Sequence, residues 1–155
     1  METMRRRSFI AMAASVLALP GRATLAGPAK MTVYKDPNCG CCHEWSKAMA
    51  AAGFSVDARD TDDLAAVKAR RGVPADLEGC HTAVVEKYYL EGHVPLEAVQ
   101  RLLRERPRLR GLAVPGMPSG SLGMGDDPTA SYDVYAIPSE TGAPYVFMEV
   151  RPSKG

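Results

Sequence analysis

The chain of 155 residues is long enough for one domain with a small extension and too short for two full-sized domains. Hydrophobic residues make up 46% and charged residues 24%, a globular balance that argues against a disordered or fibrous protein. Nineteen basic against eighteen acidic residues leave a net charge of +1, without the basic excess that a nucleic-acid binder collects into a patch.

The first segment reads as a secretory signal. Arg5, Arg6 and Arg7 form a basic start, an apolar run extends from Phe9 to Leu19, and small residues surround Ala26. The run is about half the ~20 residues that a spanning helix requires, so no permanent membrane anchor is expected. Arg6-Arg7-Ser8-Phe9-Ile10 resembles the twin-arginine export signal, although three arginines also serve an ordinary Sec leader. Cleavage after Thr24-Leu25-Ala26 divides the chain into a signal peptide, 1–26, and an exported domain, 27–155. Without four arginines and Glu2, the mature chain keeps fifteen basic and seventeen acidic residues, a net charge of −2. The expected compartment is the periplasm, where thiols oxidise unless a metal or a reductant holds them. All four cysteines and all three histidines lie in the exported part.

Met31 to Tyr34 is a β-branched and aromatic run, read as a strand ending at the loop Asp36-Pro37-Asn38. From Cys42 to Ala52 the spacing of Trp45, Ala48, Met49 and Ala52 predicts a helix, stopped by Gly53. Phe54 to Arg59 alternates like a half-buried strand. Asp60 or Thr61 is expected to cap a second helix carrying Leu64, Val67 and Ala69 and closed at Gly72. Thr82 to Val85 and Tyr88 to Leu90 read as hairpin partners. Pro95 opens a third helix with Leu96, Val99, Leu102 and Leu103 inward, and Pro107 ends it. This order predicts an α/β, thioredoxin-like domain with the first cysteines at its first strand-to-helix junction. The arginine-rich run Arg101 to Arg110 reads as a solvated helix face and its exit. Val114 to Gly125 is a loop rich in glycine, proline and methionine, and Tyr132–Ile137 with Tyr145–Val150 form a closing hairpin.

The chemistry is concentrated in sulfur. Cys39 and Cys42 form a C-x-x-C at a helix start, where backbone N–H groups and the helix dipole favour thiolate. Cys41 lies between them. Adjacent side chains on a helix diverge by about a third of a turn, so three thiolates there suit several soft ions better than one. In a thioredoxin-like arrangement the segment of Cys80, just before the third strand, packs beside the first strand, so Cys80 is expected to face them. Thiolates select copper(I), zinc or iron–sulfur clusters; Met117 and Met124 add thioethers that suit copper(I), and His43, His81 and His93 offer imidazole. The plainer readings are two disulfides, one within the motif and one to Cys80, histidines that only form hydrogen bonds, and methionines that cover an apolar patch.

Four motifs carry a resemblance. Pro37-Asn38-Cys39-Gly40-Cys41-Cys42, Cys80-His81-Thr82-Ala83, Glu91-Gly92-His93-Val94-Pro95 and Gly111-Leu112-Ala113-Val114-Pro115-Gly116-Met117-Pro118 occur in the order found in the CopG-like periplasmic copper-tolerance family. The chain resembles that family from Met31 to Val150. The resemblance implies a thioredoxin-like fold and a copper(I) thiolate cluster held by Cys39, Cys41, Cys42 and Cys80. The three diverging thiolates of the first motif give the expectation of more than one copper(I) per chain. The resemblance also implies a role in copper resistance, either sequestering copper or interconverting copper(I) and copper(II) as an oxidoreductase. Copper ions and other periplasmic copper-handling proteins are then the expected partners. The usual family loop Gly-Ser-Pro-Gly-Met is here Gly120-Ser121-Leu122-Gly123-Met124, which bears on the position of Met124.

Two other functions fit parts of the pattern. A thiol–disulfide oxidoreductase needs only an attacking and a resolving thiol, which leaves Cys41 without a role. A four-cysteine [2Fe–2S] protein would be brown, whereas copper(I) thiolates are colourless.

Overall fold

A computed structural model describes residues 27–152. The signal assigned to residues 1–26 lies outside them. The elements are β1 (Lys30–Lys35), α1 (Gly40–Ala51), β2 (Ser55–Asp60), α2 (Leu64–Arg71), β3 (His81–Val85), β4 (Tyr88–Glu91), α3 (Leu96–Glu105), β5 (Leu109–Ala113), β6 (Tyr132–Pro138) and β7 (Tyr145–Val150), with a short 3-10 turn at Ala75–Leu77. They build one mixed sheet in the order β2-β1-β3-β4-β5-β6-β7. Only the β1–β2 and β4–β5 pairs are parallel, each joined through a helix, as parallel neighbours require.

The α/β order expected from the sequence is present through α3, and the closing hairpin is β6–β7. Four details differ. α1 starts two residues before the expected Cys42, because Asp36 receives the Cys39 N–H at 3.1 Å on its carbonyl and the Asn38 N–H at 2.7 Å on its carboxylate. That turn sets Cys39 at the N-cap. The cap of α2 is Asp63, whose carboxylate accepts the Ala66 N–H at 2.9 Å, rather than Asp60 or Thr61. β2 is an exposed edge strand in which only Val56 is half-buried, because nothing pairs beyond it. β5 follows directly on the arginine-rich run and was not expected as a strand. Its Gly111 is required there: a Cβ would collide with the Tyr89 carbonyl and ring on β4.

Trp45 and Met49 of α1 and Ala98, Val99 and Leu102 of α3 pack into one core with Val33, Ala83, Leu90 and Val134 from the sheet. A smaller cluster of Leu77, Tyr89, Ala113 and Ile137 forms on the opposite face. The alternation along β4 divides it accordingly, with Tyr88 and Leu90 toward α1 and α3 and Tyr89 and Glu91 toward α2. Among the described residues no helix is long and apolar enough to cross a membrane.

Candidate metal centre

Cys39 caps α1, and Cys41 and Cys42 lie in its first turn, where the N–H groups lack intrahelical acceptors. Cys80 arrives from the loop before β3. Its sulfur stands 3.4 Å from Cys42 Sγ and 4.0 Å from Cys41 Sγ, while Cys39 Sγ and Cys41 Sγ are 3.6 Å apart. All four sulfurs lie within 4.8 Å of one another. The divergence expected between Cys41 and Cys42 therefore does not separate their sulfurs, because both turn toward Cys80. Cys39 and Cys42 are joined as a disulfide, and Cys41 and Cys80 are free thiols. Of the two disulfides that the sequence allowed, the one within the motif is present and the one to Cys80 is not.

His93 completes the immediate surroundings of Cys80. Its Nδ1–H donates to the Leu122 carbonyl at 2.6 Å, which leaves the Nε2 lone pair 2.8 Å from Cys80 Sγ. Burial, reinforced by the neighbouring Cys41, pushes the Cys80 thiol up to about 12. Cys80 is thus a thiol at neutral pH, and its S–H is the donor to His93. A backbone carbonyl on the remote nitrogen is the usual orienting contact of a metal-binding imidazole. His81, fully buried, places Nδ1 at 3.4 Å from Cys80 Sγ and its ring centroid 4.5 Å from that of Trp45. Burial, then His93 and Lys68, lower its pKa to about 3, so the ring is neutral. Cys80, His81 and His93 thus form a second donor set that shares a sulfur with the first. His43 is exposed and belongs to neither set.

The glycine-rich loop between β5 and β6 covers this end of α1. At Gly123 a Cβ would stand 2.8 Å from both the Cys41 carbonyl oxygen and the Trp45 nitrogen, so only glycine fits against the helix. Met124 follows, half-buried, with its N–H on the Ser121 carbonyl at 2.8 Å. Leu122 provides the carbonyl that holds His93. Met117 is different. It is 55% exposed, beside Gly116, which bridges Gly79 just before Cys80. The loop thus packs Gly123 against the helix, with the half-buried Met124 next along the chain, and leaves Met117 at the surface.

A further pair lies behind Cys80. Lys68 of α2 and Glu91 of β4 form a buried ion pair, and both grip one glycine: Lys68 Nζ donates to the Gly79 carbonyl at 3.1 Å, and Gly79 N–H donates to Glu91 at 2.8 Å. Thr82 Oγ1 donates to the same carboxylate at 2.6 Å. Burial pushes the Glu91 carboxyl up, against the pull of Lys68, Thr82 and Gly79. These contacts fix the backbone immediately before Cys80. Sequence reasoning missed Lys68 altogether, since an isolated lysine on an amphipathic helix carries no local sign of burial.

Residues 77–124 match a family model described as a protein of unknown function, DUF411. That span begins just before Cys80 and ends on Met124. No curated protein matches the chain. Two solved structures do, described as copper resistance protein CopG, forms 1 and 2. Both are 42% identical to this chain, with a TM-score of 0.74. The alignments cover 80% and 79% of this chain and 98% of each of theirs. At that identity and over nearly their whole length, the likeness goes beyond fold, and the chain belongs to the family of the copper resistance protein CopG.

Proposed function

We propose that this protein handles copper in copper resistance, holding copper(I) in a thiolate cluster of Cys39, Cys41, Cys42 and Cys80. The convergence of four sulfurs within 4.8 Å carries this reading. Thiolates are the donors that select copper(I), and His93 is already oriented as a ligand by the Leu122 carbonyl. Met124 supplies a thioether from the covering loop, and Met117 a more exposed one at the rim. Copper(I) is satisfied by few donors, so four thiolates and an imidazole exceed what one ion needs, and we assign more than one ion per chain. The Cys39–Cys42 disulfide must first take up two electrons to release both thiolates. A redox role between copper(I) and copper(II) is consistent with that coupling. An anaerobic titration of the reduced mature protein against a competing chelator is expected to saturate above one copper(I) per chain. Saturation at one would remove the cluster.

The same disulfide supports a second reading, a thiol–disulfide oxidoreductase acting on other proteins, with Cys39 attacking and Cys42 resolving. The position of Cys80 against both Cys41 and Cys42 favours the metal site, because an exchange reaction has no use for it.

We place the protein in the periplasm, exported with residues 1–26 removed. Replacing Arg6 and Arg7 by lysine is expected to block export through the twin-arginine route. Undiminished export of that variant, measured by fractionation, would assign the leader to Sec instead.

A further inference from the structure

On the α2 face of the sheet, at the end of β4 opposite Glu91, a cavity of about 300 Å³ opens to the surface. Arg70 and Arg71 at the end of α2, Lys87 before β4 and Arg110 on β5 surround it, with Ser139 at its edge and Tyr89 in its wall. The net charge of −2 on the exported chain conceals this local excess. Among the described residues none of these four cations has a carboxylate partner, whereas nearby Arg106 and Arg108 are paired with Glu86 and Glu140. A concave surface lined by one sign of charge concentrates ions of the other sign.

A second observation is independent of charge. Two buried side-chain polar atoms lack any hydrogen-bond partner among the described residues: His81 Nε2, beside the sulfurs, and the hydroxyl of Tyr89, a residue of this cavity's wall. Buried polar groups are nearly always satisfied, and an exception calls for a partner. Tyr89 is only 3% exposed. Its burial pushes the phenol up to about 12, with Arg110 as the strongest opposing influence, so at neutral pH the hydroxyl keeps a proton to donate. Arg110 is itself held in place. Gly72 leaves room for its guanidinium over the end of α2, and Nη2 donates to the Arg71 carbonyl at 2.9 Å. Its remaining N–H groups have no other hydrogen-bond partner among the described residues.

We propose that this cavity binds a small oxyanion of the phosphate class, with Arg110 and Tyr89 as its central donors and Arg70, Arg71 and Lys87 supplying the surrounding positive charge. The guanidinium presents paired donors to adjacent oxygens of such an anion, and the hydroxyl gains the acceptor it lacks. The site is independent of the sulfur cluster: it lies on the other face of the sheet and shares no residue with it.

The test is calorimetric titration of the mature protein with inorganic phosphate, sulfate and chloride at matched ionic strength. A parallel arm uses vesicles of phosphatidylglycerol and of phosphatidylcholine to distinguish a lipid phosphate from a free one. One phosphate is expected per chain, with a dissociation constant below about 1 mM and clearly tighter than chloride. Binding to phosphatidylglycerol vesicles in place of free phosphate would assign the same site to a headgroup. Arg110→Gln should weaken the anion at least tenfold and Tyr89→Phe at least threefold. Thermal melting of both variants reports whether each is folded. Copper loading is expected to remain at the wild-type level in both, so a failed copper reading leaves this test intact. Phosphate binding no tighter than chloride, with no preference among the vesicles, would overturn the proposal. So would phosphate binding that neither substitution alters.

Discussion

Replacing Cys80 by serine is expected to lower copper(I) affinity by at least an order of magnitude, about 1.4 kcal/mol or more, while the fold survives. Cys80 is the thiolate that reaches the site from outside α1, and serine exchanges a soft charged donor for a hard neutral hydroxyl. The pH dependence should change as well. In the wild type the Cys80 thiol, held up to about 12 by burial, must lose its proton for the sulfur to bind. Affinity therefore rises as pH rises, by about tenfold per pH unit for each proton displaced. Without that thiol the slope becomes shallower by one proton. In the oxidoreductase reading Cys80 takes no part, and the same variant retains its disulfide-reductase turnover. Chelator competition across a pH series, with turnover measured on the same preparations, separates the two. Unchanged copper affinity together with robust turnover would remove the four-cysteine site.

Glu91→Ala is expected to cost about 3–5 kcal/mol of folding stability, because it leaves the Lys68 ammonium buried without its counter-charge. The Gly79 N–H and the Thr82 hydroxyl lose their acceptor at the same time. For a domain of this size the melting temperature should fall by on the order of 10 °C. The double substitution Lys68→Met with Glu91→Leu removes both charges and should recover at least half of the loss, since apolar replacements of a buried pair are often near neutral. Urea unfolding with an unchanged slope measures both effects. A loss below about 1 kcal/mol for Glu91→Ala would mean that water reaches the pair.

Much of this architecture was legible because its signals are local. The spacing of Trp45 and Met49 marks α1, Gly72 marks the end of α2, and the C-x-x-C locates the site at a helix start. Two departures, the start of α1 and the cap of α2, are shifts of a few residues at helix ends; the others concern distant partners. β5 is a short run between Pro107 and the glycine-rich loop, and its strand character comes from pairing with β4 and β6. β2 alternates as a half-buried strand does, but whether a face is covered depends on what packs there. Lys68 and Glu91 are separated by 23 residues, and no pattern along the chain joins them. The spacing of Cys39 and Cys42 brings their sulfurs together without specifying whether they are bonded. The turn of Cys41 and Cys42 toward Cys80 depends on where β3 begins, which neighbouring residues do not encode.

The covering loop has a kinetic consequence. It is anchored by β5 at one end and β6 at the other, and between them it touches α1 through Gly123 and His93 through Leu122. Such a segment opens by breaking a few contacts, far below the free energy of global unfolding. For the proposed cluster, release of an ion is then expected to follow loop opening while the sheet and helices remain intact. Residence time and domain stability thus become separately adjustable, the first by the few residues from Ser121 to Met124 and the second by the core beneath them.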